Sequence, residues 1–304
     1  MIRWTEVRIL VPQGWQELVA ERVCAGPCTS AAFGRSSLAA EAVPEGFEMV
    51  RAFLPDRSDT PEVRAAIEDD LAQLAALTEA PELDGLRIEW RELPPEDYAN
   101  SWKKSWKPFR VGRLLLLPPW KDWTPRADEV RLTIQPGGAF GSGRHATTRT
   151  CLRALSQRIA GGERVLDAGS GSGVLSVAAA LLGAESCLGF DVDANAAFIA
   201  DELAQDNGVA SRCEFRGGDF GVLGPDDSSY DVVLANIYSD IIQAHAADLS
   251  ERLAASGWFM FSGCPDRHAP ETRAAIEAAG LRITEERPRG RWYTFIGRKA
   301  DAGS

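Results

Sequence analysis

The sequence lacks any run of about eighteen apolar residues, the length that a membrane-spanning helix needs. Its first ten residues, MIRWTEVRIL, carry charges throughout and contain no apolar core of a secretory signal peptide. Cysteines are few and scattered: Cys24 and Cys28 lie close together, but no second cysteine or histidine pair completes a metal site. These absences predict a cytoplasmic protein with reduced cysteines, no bound metal and no association with a membrane.

Basic residues are also in deficit, with 33 Lys and Arg against 44 Asp and Glu and a formal net charge of −11. Non-specific binding of nucleic acid needs clustered positive charge, so an acidic chain favours a basic partner instead. The local exception is the segment 102–110, WKKSWKPFR, in which aromatic residues alternate with positive charges. Its aromatic spacing favours a linker helix over a nucleic-acid-binding patch. We therefore expect a basic protein partner and no direct binding of nucleic acid.

The first 95 residues contain six segments in the order strand, helix, strand, strand, helix, strand. These segments are 5–12, 13–24, 29–34, 47–55, 61–77 and 86–93. This order is the ferredoxin-like plan, an antiparallel sheet backed by two helices. Because Pro94 and Pro95 end the pattern, we predict a ferredoxin-like α+β domain over 1–95 and a linker over 96–125.

From about residue 130, short apolar strands alternate with helical segments through to the end of the chain. Such alternation predicts a parallel, doubly wound sheet, and hence a Rossmann-like α/β domain over 126–300. Two final strand segments surround Pro288-Arg289-Gly290. They predict a hairpin that adds an antiparallel strand to this sheet.

A glycine-rich turn follows the first strand of the predicted α/β domain, in the sequence RVLDAGSGSG (164–173). The spacing of Gly169, Gly171 and Gly173 does not fit the G-x-G-x-x-G pattern of dinucleotide-binding folds. With Asp167 before it, the turn resembles the S-adenosylmethionine loop of Rossmann-like methyltransferases. We therefore predict that Gly169 and Gly171 contact this cofactor, because glycine lets the backbone approach a ligand closely.

Polar side chains also end the following strands. Asp191, after the second strand, is suited to accept the ribose hydroxyls, or alternatively to cap the next helix. Asp193 fits the cap better, so Asp191 is assigned to the ribose. The pair Gly218-Asp219 is a weaker candidate for the adenine. Asn236 ends the fourth strand, where its amide oxygen can accept an N–H from an amine nucleophile, although asparagine also ends strands in ordinary turns.

Several motifs together resemble one bacterial family, the methyltransferases that modify the eleventh protein of the large ribosomal subunit. They are AFGSGRHATT (139–148), the glycine turn, the strand ends FDVD and ANI, and the tryptophan-rich connector YANSWKKSWKPFRVGRLLLLPPW. The resemblance implies a class I methyltransferase domain whose cofactor contacts include Thr148, Gly169, Asp191 and Asn236. It also implies that the segment before Thr148 folds over S-adenosylmethionine.

The function implied is methylation of lysine ε-amines, or of the N-terminal α-amine, of this ribosomal protein, with the first domain recognising it. Alternatives are methylation of another protein, of a small molecule, or cofactor binding without catalysis. His145 could serve as a general base, but an anchor for its own loop is the favoured interpretation. A desolvated amine beside a sulfonium has a lowered pKa and needs no dedicated base.

Overall fold

A computed structural model describes residues 4–25, 28, 31–33, 43–55, 58–78, 80–93, 107–134, 143 and 145–300. The chain divides into two compact units, one of residues 1–107 with 135–142 and one of 108–134 with 143–304. The tryptophan-rich segment 94–106 and half of AFGSGRHATT, residues 139–142 and 144, lie outside the described residues. Residues 109–117, within the range predicted as a linker, form strands that group with the second unit, so the helix predicted over 102–110 is wrong at Phe109 and Arg110, which belong to a strand. No helix in the described part of the chain has the length and hydropathy to cross a membrane.

The first unit is a four-stranded antiparallel sheet with two helices. Its elements are β1 (Trp4–Pro12), α1 (Gln16–Ala25), β2 (Ala31–Phe33), β3 (Phe47–Pro55), α2 (Pro61–Leu77) and β4 (Arg87–Leu93). The strand order is β2-β3-β1-β4, which is the ferredoxin-like order that the sequence predicted. Helix α2 begins where its sequence indicates, because the Thr60 hydroxyl accepts the Val63 N–H and Pro61 occupies the first turn.

The second unit opens with a small three-stranded sheet. It consists of β5 (Phe109–Val111), β6 (Leu114–Leu117) and β7 (Val130–Thr133), with β5 and β6 antiparallel and β6 and β7 parallel. All four leucines of β6 are fully buried. Gly112 turns between β5 and β6 with a φ of 59°, and a Cβ there would lie 2.2 Å from the Ser156 hydroxyl.

A seven-stranded sheet forms the rest of this unit. Its strands are β8 (Arg164–Ala168), β9 (Ser186–Asp191), β10 (Cys213–Gly217), β11 (Tyr230–Asn236), β12 (Leu253–Pro265), β13 (Leu281–Arg289) and β14 (Trp292–Lys299). The helices are α3 (Ala146–Arg158), α4 (Val174–Leu182), α5 (Ala194–Asp206), α6 (Ser239–Arg252) and α7 (Ala269–Ala278).

The order of the large sheet is β10-β9-β8-β11-β12-β14-β13. The first five strands are mutually parallel and β14 is antiparallel to both neighbours, so the predicted Rossmann-like sheet and its terminal hairpin are confirmed. The strand order reverses between β8 and β11. In such sheets ligands bind beyond the carboxyl ends of the strands at this point. Gly169, Asp191 and Asn236 all lie at that edge.

Candidate active site

The glycine turn after β8 requires glycine at three positions. Gly169, Gly171 and Gly173 have φ values of 68°, 52° and 73°, in the left-handed region that side chains disfavour. A Cβ on Gly169 would come within 2.1 Å of Ile237 Cγ2, and one on Gly173 within 2.7 Å of Ala200 Cβ. The turn thus leads directly from β8 into α4. Because its glycines carry no side chains, a ligand at the edge where β11 ends can approach the backbone closely.

Asp191 and Asp193 have different partners, as predicted. The Asp193 carboxylate accepts the Asn195 N–H at 2.9 Å and caps α5. Asp191 instead accepts the Gly171 N–H at 2.9 Å on one oxygen and the Asp193 N–H at 3.0 Å on the other. An ionised carboxylate has about four acceptor positions, so two stay free for ribose hydroxyls. The hydrogen bond to Gly171 also joins the ends of β8 and β9.

Asn236 and Thr148 lie together although 88 residues separate them in sequence. The Asn236 amide donates to the Thr148 hydroxyl on α3 at 3.4 Å, and Thr148 is fully buried. The Asn236 Oδ1 is buried too, and it has no hydrogen-bond partner among the described residues. Buried acceptors are nearly always paired, so this atom marks a position where a ligand donor fits.

Asp167 lies just before the glycine turn. The sequence motif includes this residue but predicts no separate role for it. Its Oδ2 accepts the Ser176 hydroxyl at 2.7 Å, while Oδ1 is buried with no partner among the described residues. Burial raises the pKa of this carboxyl to about 7, against the opposing hydrogen bond from Ser176. Its place two residues before Gly169, among the apolar residues Val165, Leu166 and Ala168, was the signal for a buried titratable group at the site.

His145 is the N-cap of α3, which agrees with its interpretation as an anchor. Its Nδ1 lies 2.7 Å from the Thr147 hydroxyl and accepts the Thr147 N–H at 3.4 Å. The ring packs edge-on against Trp292 with centroids 5.3 Å apart. Burial, together with the charge of Arg289, lowers the pKa of His145 to about 4. The neutral imidazole therefore fixes the start of the helix that carries Thr148.

Asp219 begins a short helical turn after β10, where its carboxylate accepts the Gly221 N–H at 2.8 Å. The next residue, Phe220, packs edge-on against Phe190 and stacks on the His245 ring at a centroid distance of 3.9 Å. One oxygen of Asp219 thus has a structural partner. Its contact with adenine stays a prediction.

These residues fit a sulfonium nucleoside. Asp191 offers acceptors for a ribose, the bare glycine turn admits a close ligand, and Asn236 Oδ1 lacks a donor within the described part of the chain. The family Ribosomal protein L11 methyltransferase (PrmA) matches residues 3–300. The chain belongs to this family.

Individual members of the family agree with this assignment over most of their length. The ribosomal protein L11 methyltransferase of Pelotomaculum thermopropionicum is 35% identical over 98% of this chain and 99% of its own. That of Synechococcus sp. is 40% identical over 80% of this chain and 81% of its own. The crystal structure of the ribosomal protein L11 methylase from Lactobacillus delbrueckii subsp. bulgaricus superposes with a TM-score of 0.59 at 26% identity. It covers 64% of this chain and 100% of that one. The chain is therefore an S-adenosylmethionine-dependent protein methyltransferase of the PrmA family.

Proposed function

We propose that this chain methylates a basic ribosomal protein, L11, in the cytoplasm, on lysine ε-amines or on the N-terminal α-amine. Relatives that match nearly the whole chain are named ribosomal protein L11 methyltransferase. The net charge of −11 favours association with a basic protein. Thr148, Gly169, Gly171, Asp191 and Asn236 are the residues that we assign to the cofactor, and Asn236 is also the catalytic residue.

The observation that carries the proposal is the buried, unpartnered Oδ1 of Asn236 within the described residues. S-adenosylmethionine, when bound, supplies an electrophilic methyl group on a sulfonium. Asn236 Oδ1 would accept an N–H from the substrate amine and so direct the nitrogen lone pair. Thr148 holds the Asn236 amide through its hydroxyl, which fixes the direction of that oxygen.

Transfer to nitrogen needs the neutral amine, whose ordinary pKa for lysine is about 10.4. A buried site next to a sulfonium disfavours a second positive charge and so lowers that pKa. His145 takes no part in this step, because its ring caps α3 and stays neutral. The proton leaves to solvent after the lysine has entered the site.

The ferredoxin-like unit is the part of the chain that we assign to recognition of the protein substrate. The assigned cofactor residues all belong to the second unit, and the ferredoxin-like sheet and its helices contribute none of them. A small-molecule methyltransferase would have no need of it. This assignment is tested by the truncated chain described in the Discussion.

The deciding experiment incubates the purified chain with labelled S-adenosylmethionine and purified L11, followed by peptide mass spectrometry. We expect methyl groups on lysine side chains or on the N-terminal amine of L11, and none with Asn236→Ala. A parallel incubation with a cell extract shows whether another protein carries the label. Label on another protein and none on L11 would overturn the substrate. Cofactor binding without any transfer would indicate a binding module instead.

A further inference from the structure

A cavity of about 260 Å³ lies at the edge of the large sheet opposite to the candidate active site. Its lining includes the first residues of β8, β9, β10 and β11, which are Arg164, Ser186, Cys213 and Tyr230. The candidate cofactor residues follow the carboxyl ends of the same strands. The cavity is therefore a separate place in the fold, and nothing in the proposed methyl transfer uses it.

Two cysteine thiols meet in this cavity. Cys187 on β9 and Cys213 on β10 are register partners in a parallel pair, so their side chains point to the same face. The two thiols lie close enough for each to shift the pKa of the other. Neighbouring strands are about 4.8 Å apart, and disulfides join Cα atoms separated by about 4.4–6.8 Å. The strand spacing therefore admits a bond between the two sulfurs.

The two thiols differ in exposure and in acidity. Cys213 is half-buried and lines the open cavity, whereas Cys187 is only 3% exposed. The interaction with the Cys187 thiol, together with the guanidinium of Arg212, lowers the pKa of Cys213. The interaction with Cys213 and burial raise the pKa of Cys187. The thiolate is the reactive form, so an oxidant would meet Cys213 first and Cys187 second.

We propose that Cys187 and Cys213 form a reversible disulfide when the protein meets a hydroperoxide. The Cys213 thiolate attacks one peroxide oxygen, the O–O bond breaks, and the other oxygen leaves as hydroxide or alkoxide, which takes a proton to become water or an alcohol. Cys213 is then a sulfenic acid. Cys187 sulfur attacks the Cys213 sulfur, the S–O bond breaks, and its hydroxyl leaves as water with the Cys187 proton. Two thiols are oxidised and one peroxide is reduced.

A disulfide suits the pair better than a metal ion does. No group of three or more His, Cys, Asp or Glu side chains that could hold a metal occurs within the described residues. Other described cysteines have different surroundings: Cys264 is buried and hydrogen-bonded to Thr272, and Cys151 is buried beside Ser262. In contrast, Cys213 borders a cavity large enough for a peroxide.

Trypsin makes the test direct, because it releases Cys187 in the peptide 165–212 and Cys213 in the peptide 213–216, each with no other cysteine. The reduced full-length protein is treated with hydrogen peroxide, quenched with catalase, alkylated and digested. We expect a peptide in which 165–212 and 213–216 are joined, lighter by two hydrogens than their sum and split again by dithiothreitol. Recovery of both peptides fully alkylated, or of Cys213 joined to any other cysteine, would overturn the proposal.

Three variants assign the order of events. In Cys187→Ser, oxidation should stop at a sulfenic acid on Cys213, which dimedone traps. In Cys213→Ser, the Cys187 thiol should stay reduced. The matched control is Cys264→Ser, which removes a buried cysteine elsewhere and should give the same joined peptide as the wild type. The wild-type peptide map decides the proposal even where a variant folds poorly, and oxidation of Cys187 in Cys213→Ser would reverse the assigned roles.

Discussion

At the scale of single residues, two carboxylates at the end of β9 have separate tasks. Asp191→Ala should weaken binding of S-adenosylmethionine by about 1.5–3 kcal/mol, because it removes charged hydrogen bonds to the ribose. Isothermal calorimetry measures the change. Asp193→Ala is the matched control: it should cost about 0.5–2 kcal/mol of stability through loss of the α5 cap and leave cofactor affinity nearly unchanged. Normal affinity in Asp191→Ala would remove that residue from the site.

Asn236→Ala should affect the chemical step more than binding. Without the Asn236 amide oxygen, the lone pair of the substrate amine is no longer aligned with the methyl group. We therefore expect kcat to fall by a larger factor than the cofactor affinity. Thr148→Val should lower kcat in the same sense, since it removes the hydroxyl that accepts from Asn236, and Thr148→Ser should restore it. Steady-state kinetics with L11 gives kcat, and calorimetry gives the cofactor affinity. A near-normal kcat for Asn236→Ala would contradict its catalytic role.

Asp167 should make stability depend on pH. Its pKa in the folded protein is raised from 3.8 to about 7, so the folded protein keeps a proton that the unfolded chain releases between these values. Its contribution to stability is thus fully present below pH 3.8 and is lost as the pH rises to about 7. Asparagine resembles the protonated acid at every pH.

Asp167→Asn should therefore gain stability relative to the wild type as the pH rises from 4 to 7, by on the order of 3 kcal/mol. Denaturant unfolding at several pH values measures this difference. In Ser176→Ala, the loss of a hydrogen bond that favours the carboxylate should move the transition to higher pH. A stability difference that does not vary with pH would show that Asp167 stays ionised in the folded protein.

The sequence indicated which site residues end strands, but not which of them meet. The roles of Asp191 and Asp193 could be distinguished because the sequence shows a helix starting directly after Asp193. The hydrogen bond between Asn236 and Thr148 depends on how α3 packs against the sheet, and no local pattern contains that information. The helix-capping role of His145 was equally hidden, since serine, threonine, aspartate and asparagine are the usual caps.

At the scale of elements, most strands were predicted from the sequence, but β5 and β6, inside the predicted linker, were not. The bounds of β3 and α2 agree with the sequence, because turn residues precede β3 and the pair Thr60-Pro61 starts α2. Strand β6 is four consecutive leucines between turns, and periodicity cannot tell such a run from a buried helical turn. Strand β12 begins at Leu253, five residues before its apolar run WFMF, and the small residues in that stretch carry no strand pattern.

One side chain ties two of these elements together. Asn207, at the end of α5, accepts the Thr133 N–H and donates to the Thr133 carbonyl, both at 2.8 Å, so it acts like a neighbouring strand for β7. Asn207→Ala should lower the free energy of unfolding by about 1–3 kcal/mol, because it leaves these backbone groups unpaired. Denaturant unfolding checks this. Gln205→Ala, on the exposed face of the same helix, is the control and should change stability little. Equal losses of stability in both variants would show that the hydrogen bonds between Asn207 and Thr133 do not stabilise the fold.

At the scale of the whole molecule, the structure indicates where a fragment that contains only the second unit should begin. A fragment starting at residue 126 would remove β5 and β6, whose turn packs on Ser156 of α3 and whose Arg113 N–H donates to the Ser156 hydroxyl. A fragment of residues 108–304 retains them. It should bind S-adenosylmethionine with nearly the affinity of the full chain and lose most of its kcat/KM for L11, because the substrate contacts of the first unit are gone.

Circular dichroism establishes that the fragment is folded, and calorimetry and methylation kinetics then measure both quantities. The full-length Asn236→Ala variant is the control, because it keeps the first unit and loses catalysis. Full activity of the fragment towards L11 would refute recognition by the ferredoxin-like unit. Loss of cofactor binding in a folded fragment would assign the first unit to cofactor binding.

The place of β14 in the large sheet has a consequence for how the chain is made. This strand lies between β12 and β13 although it follows both in sequence. Ribosomes deliver residues in order, so β12 and then β13 leave the exit tunnel before β14, the strand that joins them. Until then β12 presents an open strand edge, the kind of surface that attracts other strands. A nascent chain therefore keeps an unfinished sheet, and it closes that sheet only when residues up to Lys299 have emerged.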